Sequence, residues 1–88
     1  MTNVITGKVW SLGGTGAVVA KGIPVWIKWV IWTGGANTNG MELRDSSGMT
    51  IIKAVANTGQ LEFFWKIDTA FDGLSVQTLG GGTVYVCV

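Results

Sequence analysis

Fourteen glycines and a single proline punctuate this chain of 88 residues, and glycine clusters separate its apolar runs. Short apolar runs bounded by glycine-rich turns are the pattern of strands, and no helical period competes with it. Eight segments fit: 4–10, 18–21, 25–32, 41–45, 49–55, 60–67, 74–79 and 83–88. In 41–45, Met41, Leu43 and Asp45 alternate against Glu42 and Arg44, as in a strand with one wet face. The stretch LRDSSGMTI reads as a hairpin with Gly48 at the left-handed position. Asp45 fits there as a turn acid whose carboxylate accepts backbone N–H groups. Pro24, which lacks an N–H, suits a strand start or edge. DTAFDG reads as the link between 60–67 and 74–79, and glycines 80–82 as the turn into the final strand. The expected fold is all-β: one small β-sandwich, or a partly closed barrel, of about seven to eight antiparallel strands in a single domain over 1–88.

A chain this short buries only roughly 60–65% of the surface it exposes when unfolded. Yet 48% of its residues are hydrophobic and 12% charged, against about 25% charged in ordinary soluble domains. A membrane does not account for the excess. The run from Ile23 to Trp32 is broken by Lys28 and falls short of the roughly 20 residues a spanning helix needs, and no signal-peptide pattern opens the chain. Nucleic acid is not an expected partner either, because Lys8, Lys21, Lys28, Arg44, Lys53 and Lys66 are scattered rather than clustered. The remaining expectation is a surface covered by other protein. Val88, ending the apolar run VYVCV, is expected in a sheet or against a partner.

The stretch VWIKWVIW locates that surface on paper. Along a strand, Val25, Ile27, Trp29 and Ile31 share one side, which suits the inside of a sandwich; Trp26, Lys28, Val30 and Trp32 share the other. Phe64 and Leu79 also stand on the outer side of their strands. Trp26, Lys28, Val30, Trp32, Phe64 and Leu79 are therefore the candidate interface, since exposed apolar patches mark contact sites and aromatic residues dominate their energetics. A slipped register or a bulge at Lys28 would exchange the two sets.

No chemistry competes with this reading. The chain has no histidine, so the common general-base, triad and metal-ligand schemes are absent, and Cys87 lacks the partner a cysteine nucleophile needs. Cys87 reads as a small buried hydrophobe, with an intermolecular disulfide the sharper alternative. Asp68 and Asp72 read as turn residues rather than a paired-carboxylate or calcium site. The glycine strings at 13–16 and 80–82 lack the strand-to-helix context and the Lys-Ser/Thr pair of a phosphate loop. No enzyme activity, cofactor or metal is expected. The rival from another class is a carbohydrate-binding, lectin-like host-adhesion module. It would use Trp10, Trp26, Trp32, Trp65 and Tyr85 as platforms beside Asn37, Asn39 and Gln60; a row of exposed tryptophans with amides alongside is its signature.

The segments VWIKWVIWTGGANTNGMELRDSSGMTIIKAVANTG and FDGLSVQTLGGGTVYVCV together resemble small all-β virion proteins of tailed bacteriophages. The matching positions are Leu43, Asp45 and Gly48, then Asp72, Gly73, Leu74, Val76, Leu79, Gly82, Thr83, Tyr85 and Val86. The resemblance implies a β-sandwich made in the host cytoplasm and placed on the virion, as a capsid decoration or cement protein. It implies a homo-oligomer, a trimer foremost, binding the major capsid protein in many copies. A tail or head–tail accessory protein is the neighbouring alternative.

Overall fold

Two strands are far longer than the sequence suggests, and they organise the rest. The computed structural model describes residues 3, 5, 7–33, 36–58 and 61–88, and every regular element in it is a strand. They are β1 (Val9–Leu12), β2 (Gly16–Thr33), β3 (Gly40–Arg44), β4 (Thr50–Val55), β5 (Phe63–Leu79) and β6 (Thr83–Cys87). All pair antiparallel in one sheet of order β1-β6-β2-β5-β3-β4. The all-β expectation holds, with six strands instead of seven to eight. Segments 18–21 and 25–32 are one strand, β2; segments 60–67 and 74–79 are joined through DTAFDG into β5. The first strand begins at Val9, and residues 4, 6 and 60, assigned to strands on sequence, lie outside the described residues.

Bulges replace the expected turns. A straight strand of the 18 residues in β2 would reach about 60 Å at roughly 3.3 Å per residue, yet the longest dimension of the molecule is 37 Å. The β2–β5 ribbon bends. Its pairing passes from Val19↔Leu74 to Pro24↔Asp72, so residues 20–23 stand against Gly73 alone; it slips again between Ile27↔Thr69 and Trp29↔Lys66, where Ile67 and Asp68 oppose Lys28. Extra residues of this kind bend a strand without ending it. A third, smaller shift lies between Ala17 and Val19. Asp68 adopts φ 53 and Gly73 φ 75, so each of the first two has a left-handed residue beside it.

The Gly73 corner is also where the β3–β4 hairpin is fastened. The Ser46 hydroxyl donates to the Val19 carbonyl at 2.9 Å, the Ser46 N–H to the Asp72 carbonyl at 2.8 Å, and the Gly22 N–H to Asp72 Oδ1 at 2.6 Å. A Cβ on Gly73 would fall on the Ser46 side chain and the Val19 carbonyl. The hairpin itself follows the sequence reading. Gly48 has φ 95, and Asp45 Oδ1 accepts from the N–H groups of Ser47 and Met49 and from the Ser47 hydroxyl. Glu42 departs from it: expected on a wet face, it is buried, its carboxylate held by Arg44 and Thr50.

One continuous core includes Leu12, Val25, Ile27, Val30, Trp32, Met41, Leu43, Leu74, Val76, Val84 and Val86. Trp32 is its largest fully buried side chain. Its indole N–H is satisfied by the Gly81 carbonyl at 2.9 Å, and its ring stacks on Phe63, which stacks on Trp65. The three-glycine turn thus supplies the polar partner a buried tryptophan requires. At Val88, the N–H donates to the Lys8 carbonyl.

Gly73→Ala combines a left-handed backbone with a collision against backbone. It is expected to cost about 3 kcal/mol or more, measured by urea unfolding against wild type.

Candidate functional site

The pairing of β1, β6, β2 and β5 arranges side chains in rows, because residues directly opposite in a ladder share a side. Two rows point into the core: Trp10–Val86–Val30–Trp65 and Leu12–Val84–Trp32–Phe63. The intervening rows, Val9–Cys87–Trp29–Lys66 and Ser11–Tyr85–Ile31–Phe64, face outward by alternation. The outward rows are apolar except for Lys66 and Ser11. Phe64 is 63% exposed; Trp29 lies beside it at a ring separation of 6.2 Å. Of these rows Val9, Phe64 and Lys66 are exposed, while Ser11, Trp29, Ile31, Tyr85 and Cys87 are half-buried.

This outward face differs from the one read off VWIKWVIW. On β2 the covered residues are Val25 and Ile27, then Val30 and Trp32. The covered set changes from odd to even across Lys28, where the ribbon slips by one residue. Val30 and Trp32 are therefore core residues, both 0% exposed in the single chain, and leave the candidate interface. Leu79 is half-buried, opposite Met41 and packed on the core. Phe64 stays exposed on the outward rows, Lys28 is exposed at the slip, and Trp26 is 52% exposed elsewhere. Trp29 and Ile31, expected inside, belong to the outward face with Val9, Tyr85 and Cys87. Cys87 is correspondingly half-buried, not a core residue. One signal for this was present in the sequence: VYVCV is apolar on both parities, which marks a strand covered on both sides.

Trp26 belongs to a second feature, an open groove of about 490 Å³ lined by Ile5, Trp10, Val19, Ile23, Trp26 and Val88 among others. Its indole N–H donates to Asp68 Oδ1 at 3.0 Å. Asp68 and Asp72 thus both serve the ribbon, one fixing the Trp26 ring and the other holding the Gly22 amide. The tryptophans form no exposed row: Trp26 alone is exposed, Trp10, Trp29 and Trp65 are half-buried, and Trp32 is buried. Asn37 and Asn39 lie in the segment before β3, where Asn39 abuts Gly80 and Gly81; Gln60 lies outside the described residues.

Comparison with protein-family models, with curated proteins and with solved structures finds no match. The site accordingly rests on its own geometry: a small, one-sheet β-domain that carries an apolar face outside its core.

The two aromatic classes separate experimentally. Trp32→Ala is expected to cost about 3–5 kcal/mol of stability by opening a cavity, whereas Phe64→Ala changes it by less than about 1 kcal/mol. Chemical denaturation of both variants below any association threshold measures the difference.

Proposed function

We propose that this chain is a non-enzymatic structural virion protein, a capsid decoration or cement protein that binds the outside of a phage shell in many copies. The observation that carries the reading is the outward apolar face of Val9, Trp29, Ile31, Phe64, Tyr85 and Cys87, exposed at Val9 and Phe64, which suits contact with another protein. The resemblance of the hairpin and of the C-terminal ending to small phage virion proteins supplies the setting.

The mechanism is mass action. A protein that binds the assembled shell and not its separate subunits shifts the equilibrium toward the shell. Oligomerisation multiplies the contacts, so attachment of a trimer is stronger than that of one chain. The partners in this reading are other copies of the chain and the major capsid protein, at the capsid surface after synthesis in the host cytoplasm. A sugar-binding role draws less support, because the tryptophans form no exposed row beside amides.

Light scattering behind size exclusion tests the first half. A closed oligomer is expected, a trimer having three times the 9.3 kDa of the chain. Phe64→Asp should shift the mass to that of the monomer while the folded spectrum is kept. Sedimentation of the chain with purified phage shells and with immobilised glycans tests the second half. Binding to glycans and not to shells would replace this reading with host adhesion.

A further inference from the structure

The geometry points to the β3–β4 hairpin as an acid-operated strap at the edge of the sheet: protonation of Glu42 and Asp45 releases it while the Trp32 end of the core stays folded. The inference is independent of the virion reading.

Glu42 and Asp45 are the buried charged side chains among the described residues, and both belong to this one hairpin. Glu42 Oε2 accepts from Arg44 Nε at 2.6 Å and from the Thr50 hydroxyl at 2.8 Å, a bridge from β3 to β4. Asp45 Oδ1 gathers the Ser47 N–H, the Ser47 hydroxyl and the Met49 N–H within 3.0 Å, closing the turn. Every one of these bonds requires an oxygen acceptor, and protonation removes the charge that makes them strong. The charged groups around them are few. Glu42 has Arg44 on its own strand, Lys53 opposite on β4 and uncharged Thr78 opposite on β5. Beside Asp45, the Ser46 N–H bonds to the carbonyl of Asp72 on β5, whose carboxylate is engaged by Gly22.

The hydrogen bond from Arg44, then that from Thr50, holds the Glu42 carboxyl below its ordinary value of 4.5. The Met49 amide, then the Ser47 hydroxyl, holds Asp45 below 3.8. Folded-state values lowered in this way contribute stability that is complete above the ordinary values and lost as pH falls through the lowered ones. The loss is local for a topological reason. β4 is an edge strand, and β3 joins the sheet through β5 alone. The inward rows at the other end, from Trp10 to Trp65 and from Leu12 to Phe63, contain no ionisable side chain. Acid therefore acts on the strap and on no side chain of those two rows.

Amide proton–nitrogen correlation spectra of the intact chain, followed from neutral pH to about pH 2.5, test this. Cross-peaks of Met41 to Val55 are expected to lose their folded positions together, with a midpoint below 4.5, while those of Val30, Trp32, Val84 and Val86 persist. The E42Q/D45N double variant should abolish the hairpin transition. Thr50→Val, a milder change that guards against a double variant that does not fold, should raise the midpoint by removing one bond to the ionised carboxylate. A single midpoint shared by hairpin and Trp32 end overturns the proposal. So does a Thr50→Val midpoint that is unmoved or lowered, or a hairpin transition unchanged in a folded double variant.

Discussion

A ribbon of two strands too long for the molecule that contains it must bend, and the rest of the structure follows from how β2 and β5 do so. Asp68 and Gly73 take left-handed conformations beside two of the three irregularities, and the ribbon turns there without losing its pairing. The outer strands are then attached at opposite ends: β6, with β1 beyond it, beside residues 29–33 of β2, and β3, with β4 beyond it, beside residues 75–79 of β5. Ser46 locks the second attachment by bonding to both long strands at the Gly73 corner. Hydrogen bonds of this sort contribute only about 1 kcal/mol each; their larger effect is to fix which sides of the two ends meet across the core.

The slip at Lys28 decides the fate of the aromatic residues around it. Trp29 and Trp32 are three apart and similar in kind, yet one lies on the outward face and the other is the largest buried side chain. Trp32 is placed inside where a carbonyl of the 80–82 turn meets its N–H and Phe63 meets its ring. Trp29 has Phe64 as its aromatic neighbour on the outward face, and both lie outside the core. A small domain with this much apolar material cannot hide it all; the slip determines which part remains outside.

Much of this was legible in residue order and some was not. Turn chemistry is local, so the Asp45–Gly48 hairpin, the 80–82 turn and the strand character of every segment follow from short-range rules. The two mergers do not. DTAFDG has the composition of a turn, and only pairing with residues 24–27 of β2 turns it into a bulged strand. Parity on β2 is likewise a long-range quantity, set by the extra residue on β5 at Asp68, so simple alternation placed Val30 and Trp32 outside and Trp29 and Ile31 inside. Phe64 stands on the outward side that alternation gives it, because its own segment alternates without interruption on that side of the slip. Glu42 was misread because Thr50, across the hairpin on β4, joins Arg44 of its own strand in holding the carboxylate, and alternation alone does not register cross-strand partners.

The position of β6 has a consequence in time. It is made after β1 and β2 and yet lies between them, hydrogen-bonded to both. Until it emerges, β1 has no partner in the sheet, and residues 29–33 of β2 present an open edge beside their tryptophans. The nascent chain can close the β2–β5 ribbon and the β3–β4 hairpin early, but this end of the sheet completes only by insertion of a later strand. Non-local pairing of that kind folds slowly and exposes unpaired edges meanwhile. Translation rate and crowding by sister chains are therefore part of what this small sheet has to survive.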